Sequence, residues 1–420
     1  MAQPLINITH KHALGFAAFL VLYEFLTYIA NDMIMPGMLE VVHSFHGPES
    51  AVATSLTAYI LGGASLQLFL GPISDRYGRR PVMLFGAAFF FLCTLIIACS
   101  NSIDQFLMAR FFQGMGLCFI GVVGYATLQE IFDEMDAIRL IAVMANVSTI
   151  APLIGPLVGA IFILYFDWRT LFVIIGAFSL VALWGLWQFM PESVGQIKRD
   201  GQQIKQVSLS PRVILTNYKN LLVNMPFMLS SLALGIINVP CIIWIALAPV
   251  ILVSDAKLTI IEYALWQIPV FGALILGTLF LQHLTHRGTV KKITLIGSVF
   301  TVVGLILTAI LPYAINGYFV WLMPGLIVYF FGLGVTAAPL NRFILFSTPV
   351  GKGTTSALMS MFTMCIIALG IETANVLYES HNNRIFGLYC AIIGVVYFVF
   401  LGAAFALAPK TDNDLPLFLD

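Results

Sequence analysis

The chain has 420 residues, of which 60% are hydrophobic and 10% charged, and its formal net charge is zero. A soluble domain carries about 25% charged residues, so this composition cannot clothe an apolar core in polar surface and belongs in a bilayer. The neutral balance excludes nucleic acid as a partner recognised through bulk charge.

The first apolar run, 13–38, is too long for the core of a signal peptide and has no small-residue cleavage site, so it reads as a membrane span. Within "LVLYEFLTYIANDMIMPG" it carries two acids, Glu24 and Asp32. Each costs about 2.5–3.5 kcal/mol at a helix centre, and carboxylates at that depth mark function by default. Eight residues separate the two acids, about 12 Å of rise and about 80° of turn, so they face broadly one side at two depths without sharing a hydrogen bond. Pro36 cannot donate to the Asp32 carbonyl, so a kink is expected there, with Asn31 adding a polar group beside it.

Eleven further runs are long enough to cross a bilayer: 50–73, 81–100, 104–129, 138–165, 169–190, 224–253, 258–283, 293–313, 317–341, 354–378 and 385–408. The sequence therefore predicts an all-α membrane protein of twelve transmembrane helices. The long polar interruption 191–221 divides them six and six, and the layout expected is two pseudo-symmetric six-helix bundles around a central cavity. The boundaries are 1–191 for the first bundle, 192–221 for a cytoplasmic linker, 222–409 for the second bundle and 410–420 for a tail. With both termini cytoplasmic, fifteen of the 20 Lys and Arg fall in inside loops and three in outside loops. That asymmetry sets the orientation.

The loop after the second span, "GPISDRYGRRP", sets Asp75 among Arg76, Arg79 and Arg80. Such a loop can lock the ends of neighbouring helices through carboxylate–guanidinium and helix-end contacts. Positive-inside topology alone would explain the arginines but not the spacing of Gly71, Asp75 and Gly78. In the fourth span, "LMARFFQGMG" holds Arg110 at the depth of Asp32. A buried Arg needs a carboxylate or several carbonyls. Asp32 is the expected partner, with Gln113, Asn146 and freed backbone taking the other donors; a fixed ion pair that only joins two helices is the alternative. In the fifth span, "NVSTIAPLIGPLVGA" repeats Pro and Gly: Pro152 and Pro156 bend the helix, and Gly155 and Gly159 form a face for close helix contact.

Glu372, in the eleventh span, is either a second proton site or a packing acid. Glu262 is expected to reach water, and Arg342 to meet helix-end carbonyls or the membrane interface. Every His lies at a span end or in a loop, and the six cysteines fall in apolar runs without C-x-x-C spacing. They read as small buried hydrophobes, no metal site is expected, and carboxylates are left to carry any protons. There is no Walker G-x-x-x-x-G-K-[ST].

"GPISDRYGRR", "RFFQGMG" and "APLIGPLVG" resemble, in that order, the loop, fourth-span and fifth-span motifs of drug/proton antiporters of the major facilitator superfamily. The resemblance covers essentially the whole chain and departs in the linker, the tail and scattered positions such as Thr149. It implies a monomeric, lipid-embedded inner-membrane exporter that needs no cofactor, is driven by the proton gradient, and trades lipophilic cationic and neutral drugs for protons. It further implies that Glu24 and Asp32 protonate and meet cationic substrates and that Arg110 couples protonation to helix movement. Tyr28, Asn31, Tyr125, Met144, Asn146, Trp244, Tyr263, Gln267 and Phe271 would then line the cavity. Rival readings are a proton-coupled exporter or symporter of one metabolite or siderophore, an intramembrane enzyme, which lacks a His to serve it, and a channel, for which no filter motif is present.

Overall fold

The structure is a computed structural model that describes residues 4–199, 204, 211–285, 289–348 and 350–407. Lys205, Arg287, the tail 410–420, most of the polar part of the linker and the side chain of Thr149 lie outside the described residues. In chain order the α-helices are α1 (His10–Asp32), α2 (Met38–Ser44), α3 (Ala51–Ser65), α4 (Gln67–Tyr77), α5 (Arg79–Ala98), α6 (Ile103–Gly114), α7 (Gly116–Cys118), α8 (Tyr125–Ile131) and α9 (Glu134–Tyr165). They continue with α10 (Trp168–Phe189), α11 (Pro211–Val223), α12 (Met225–Ala248), α13 (Ile260–Thr285), α14 (Val290–Ala314), α15 (Met323–Phe346), α16 (Lys352–Tyr378) and α17 (Asn383–Leu407). Among the described residues there is no β-strand.

Ten segments are long and apolar enough to cross a membrane, and two bent helix pairs bring the number to twelve. The outer surface agrees: Phe85 is 65% exposed, Leu276 61% and Leu369 70%. Apolar exposure on that scale requires lipid as solvent.

The bends have local causes. Between α3 and α4 the axis turns by 42°. The side chains of Ser65 and Gln67 donate to the carbonyls of Gly62 and Gly63, at 2.6 and 3.1 Å, and so serve two acceptors at the broken ladder. In α9 the axis turns by 41° between Arg139–Ser148 and Ile150–Tyr165. Pro152 cannot donate to the Ser148 carbonyl, which places the bend at that turn. In α12 Pro240 interrupts the ladder, and a hydroxyl repairs it: Tyr329 donates to the Ile237 carbonyl at 2.6 Å and accepts from the Cys241 amide at 3.0 Å. Two π-helical turns, Phe119–Gly124 and Pro249–Asp255, follow α7 and α12.

The chain groups into two compact units, Met1–Gly47 with Ala58–Leu215, and Pro48–Thr57 with Thr216–Asp420. The first turns of α3 thus belong with the second unit, where Ser254 donates to the Glu49 carboxylate at 2.9 Å and Asn375 donates to the Ser50 carbonyl at 3.1 Å. Inside that unit α14 and α15 approach backbone to backbone. A Cβ on Gly304 would meet the backbone of Tyr329, and one on Gly332 the amide of Thr301. Neighbouring hydroxyls turn inward: Thr301, Thr308 and Thr336 each donate to the carbonyl four residues earlier in their own helix. Four cysteines are buried as expected, whereas Cys99 and Cys365 are exposed. Those two lie on exposed faces of their apolar runs, which hydrophobicity alone does not separate from buried ones.

In the first unit α9 packs on α1 at its glycines. A Cβ on Gly155 would lie 2.5 Å from Cβ of Asp32, and one on Gly159 would run into the Met33 carbonyl. Gly159→Ala should therefore lower stability by about 1–3 kcal/mol through overpacking against backbone that cannot yield. Gly402→Ala, in α17 with open space around the added methyl, should cost nothing. Thermal unfolding of the two purified variants in detergent checks the contrast.

Candidate functional site

The site is built on α1. Thr9 caps its start by accepting from the His12 amide. The helix then runs to Asp32 and breaks into a 3-10 turn, Met35–Gly37, around Pro36. The kink expected at Pro36 is thus a full change of helix, and Asp32 sits on its last turn. Glu24 and Asp32 are 1% and 4% exposed. Tyr125, on the first turn of α8 after the π-helical stretch, donates to Oε1 of Glu24 at 3.0 Å. Asn31 donates to Oδ1 of Asp32 at 3.1 Å. The second oxygen of each acid, Glu24 Oε2 and Asp32 Oδ2, is buried and has no hydrogen-bond partner among the described residues. Tyr28 lies among the same groups and interacts with Glu24, Asp32 and Ser148.

Arg110, on α6, is fully buried. Its Nη2 donates to Oδ1 of Asn31, and its Nη1 donates to Oε1 of Gln113 at 2.9 Å and to the Ala30 carbonyl at 3.4 Å. The guanidinium carbon lies 4.6 Å from the ring centre of Tyr59, a cation–π contact in a desolvated setting. Tyr59 in turn donates to the Thr27 carbonyl at 2.6 Å, and Gln113 donates to Thr94 at 2.9 Å. The expected partner was Asp32, and the charges of the two do interact, but the hydrogen bonds described between α1 and the cation come from Asn31 and the Ala30 carbonyl. Asn31 stands between them, with its carbonyl on the cation and its amide on the acid. The reason is geometric: α1 ends at Asp32, and the amide one residue earlier reaches both groups. Gln113 and the α1 backbone serve Arg110 as expected. Asn146 does not: it is exposed on α9. Met144 on the same helix is buried.

At the other end of the first unit the loop arginines are anchored. Arg79 pairs with Asp75 at 2.6 Å and with Glu130 at 2.8 Å, and Ser193 also donates to Glu130. The backbone amides of Arg79 and Arg80 donate to the Glu192 carboxylate at 2.9 and 3.1 Å, so Glu192 caps the start of α5. Gly78 has φ of +103°, and a Cβ there would also strike Glu192. This glycine therefore serves both the turn and the close approach of the cap. Arg76 is exposed and lies over the Tyr77 ring. Sequence reasoning missed Glu130, Glu192, Tyr59 and Thr94. Glu130 and Glu192 were visible as acids ending an apolar run and opening the polar interruption; nothing in the pattern singled out Tyr59 or Thr94.

The second unit brings its own residues together. Trp244 donates to Gln267 at 2.9 Å, Gln267 donates to the Tyr263 carbonyl at 3.4 Å, and Phe271 meets Phe330 edge to face with centroids 5.2 Å apart. All five are almost wholly buried. Glu372 has one buried oxygen, Oε1, without a partner among the described residues. Glu262 accepts from the amide and hydroxyl of Thr259 at the start of α13, and Arg342 lies over the Phe346 ring. Among the described residues no group of His, Cys, Asp and Glu could hold a metal.

The family model described as Major Facilitator Superfamily matches residues 20–371. The chain belongs to the major facilitator superfamily. Within it, the chain is 45% identical over 387 residues to the multidrug transporter MdfA of Yersinia pestis bv. Antiqua (strain Angola), covering 92% of this chain and 93% of that one. It is 43% identical over 387 residues to the multidrug transporter MdfA of Escherichia coli O6:H1, covering 92% of each. Solved structures agree on the fold. A bacterial homologue of the human lysosomal transporter Spinster, inward-facing and unoccupied, superposes with a TM-score of 0.72 at 12% identity, over 96% of this chain and all of that one. The Escherichia coli xylose transporter XylE gives 0.70 at 16% identity, over 96% of this chain and 100% of that one. The chain is thus a multi-pass membrane protein of the major facilitator fold.

The Asn31 bridge makes a direct prediction. Asn31→Ala removes an acceptor from a buried cation and should cost about 1.5–3 kcal/mol. In an Arg110→Met background the same change should cost less than half as much, because the cation it left unpaired is gone. A double-mutant cycle by thermal unfolding reads the difference.

Proposed function

We propose that the chain is a proton-coupled multidrug exporter of the bacterial inner membrane, with both termini cytoplasmic, exchanging lipophilic cationic and neutral compounds for protons by alternating access. The observation that carries this is the pair of half-satisfied acids on α1. An ionised carboxylate in the membrane with one oxygen lacking a partner is expensive. A proton relieves that cost, and so does a lipophilic cation, and both act at the same oxygen. Occupancy by one therefore opposes occupancy by the other, which is the requirement for exchange. Neutral substrates would compete by displacing the polar contacts of Tyr125 and Asn31 rather than by charge.

Asn31 supplies the coupling. Ionised Asp32 accepts from the Asn31 amide. Once protonated, Asp32 holds that amide less tightly, and Asn31 is left bonded to Arg110. Protonation thus shifts the balance of contacts between the end of α1 and α6 without leaving the guanidinium bare. The basic side with Arg79 and Arg80 is cytoplasmic in this reading, from the distribution of positive charge. The Asp75–Arg79–Glu130 cluster would hold the cytoplasmic ends of its helices in one state and release them in the other. The relatives' names support a broad drug range, and the chain's own acids support proton drive.

Purified protein in liposomes with an acidic lumen should accumulate a fluorescent lipophilic cation, and a protonophore should abolish the accumulation. The Glu24→Gln/Asp32→Asn double variant should retain less than about a tenth of it. Transport that ignores the gradient, or full transport by the double variant, would sink the proposal. A strain lacking the protein that is sensitised to one compound only would redirect it to a single-metabolite carrier.

A further inference from the structure

On the lipid-facing side of the first unit, away from the acids, α5 and α10 leave an apolar groove of about 480 Å³ between them. Leu84 and Phe85 of α5 and Leu180, Trp184 and Trp187 of α10 line it. Trp184 and Trp187 are 54% and 57% exposed. A groove this open among packed helices does not fill itself, and in a bilayer only a lipid chain is always present to fill it. The question is whether any lipid serves, or one chemical class.

Arg80 decides it. It lies at the groove's end, where its Nη2 donates to the Trp187 carbonyl at 2.7 Å. Its neighbour Arg79 is neutralised by Asp75 and Glu130, but Arg80 is in no ion pair among the described residues, and its Nε is buried without a hydrogen-bond partner. The nearby Glu192 is engaged by the amides of Arg79, Arg80 and Val194. A guanidinium fixed at one nitrogen and unpaired in charge is a ready partner for a phosphate. The dimensions agree: from Arg80 to Ala88, at the far end of the lining, the helix rises about 12 Å, close to the hydrocarbon depth of one leaflet, about half of 30 Å. The two tryptophans lie where indoles settle at the boundary between headgroups and chains.

We infer that this groove is a site for an anionic phospholipid, with an acyl chain between α5 and α10 and the headgroup phosphate on Arg80. It is independent of the transport reading and of the acids on α1.

Native mass spectrometry of the purified protein, offered equal phosphatidylglycerol and phosphatidylcholine, should show one phosphatidylglycerol retained in preference. Arg80→Gln should weaken that preference about fivefold, the loss expected for one arginine at a membrane surface, and Arg80→Lys should keep most of it. Ala88→Trp, which fills the groove, should remove the retained lipid of either kind. Equal retention of both lipids by the wild type, or an unchanged preference in Arg80→Gln, overturns the inference. So does displacement of the lipid by millimolar inorganic phosphate, which would mark a simple anion site. A measurement on the wild type stands even if a variant fails to fold. Phosphatidylglycerol brominated on its acyl chains should quench tryptophan fluorescence more than brominated phosphatidylcholine at the same mole fraction. Trp184→Phe/Trp187→Phe should abolish the excess; equal quenching by the two lipids also refutes the site.

Discussion

A guanidinium with no exposure to solvent, in the membrane-spanning part of the chain, is the demand around which the first unit is organised. Arg110 cannot be left unpartnered at that depth, and each of its contacts constrains another element. Asn31 and the Ala30 carbonyl tie it to the end of α1. Gln113 leans on Thr94 and so ties it to α5. The ring of Tyr59, held by its hydroxyl to Thr27, ties it to α3. Four helices are thereby fixed around one cation. The Asn31 amide, on the last turn of α1 before its break, reaches both the cation and the acid.

This explains why the two acids differ in surroundings though they share a helix. Glu24 meets a phenol from α8, a neutral donor placed by the π-helical turn before it. Asp32 meets an amide that is itself charged with holding Arg110. Removing a proton from the first disturbs one hydrogen bond, that of Tyr125. Removing it from the second alters a network reaching three further helices. The asymmetry follows from the positions of Tyr125 and Asn31.

Much of this was legible in the residues. Charges within apolar runs pointed to Glu24, Asp32 and Arg110, because lipid makes any charge conspicuous. The repeated Pro and Gly of α9 announced a bent helix in close contact, and Gly155 and Gly159 do touch the backbone and side chain at Asp32 and Met33. The count of spans followed from length and hydropathy, with the two bent pairs counted as one span each. What could not be read was pairing. Depth along two antiparallel helices matched Arg110 to Asp32, but depth says nothing about which neighbouring group reaches across; a side-chain amide one residue away did. Tyr59 and Tyr329 were equally hidden, since an aromatic residue in an apolar run looks like packing until its hydroxyl is seen on a backbone carbonyl.

Glu192 opens the polar connection between the two halves of the chain, yet its carboxylate closes the amide end of α5, beside a glycine that no other residue could replace. The start of the connection is therefore tied down. Its first residue is fastened to the third span, and a few residues on, the Arg199 amide is bonded to the carbonyl of Leu5. Residues 192–199 thus close a short loop that fastens the first turn of α5 to the segment before α1.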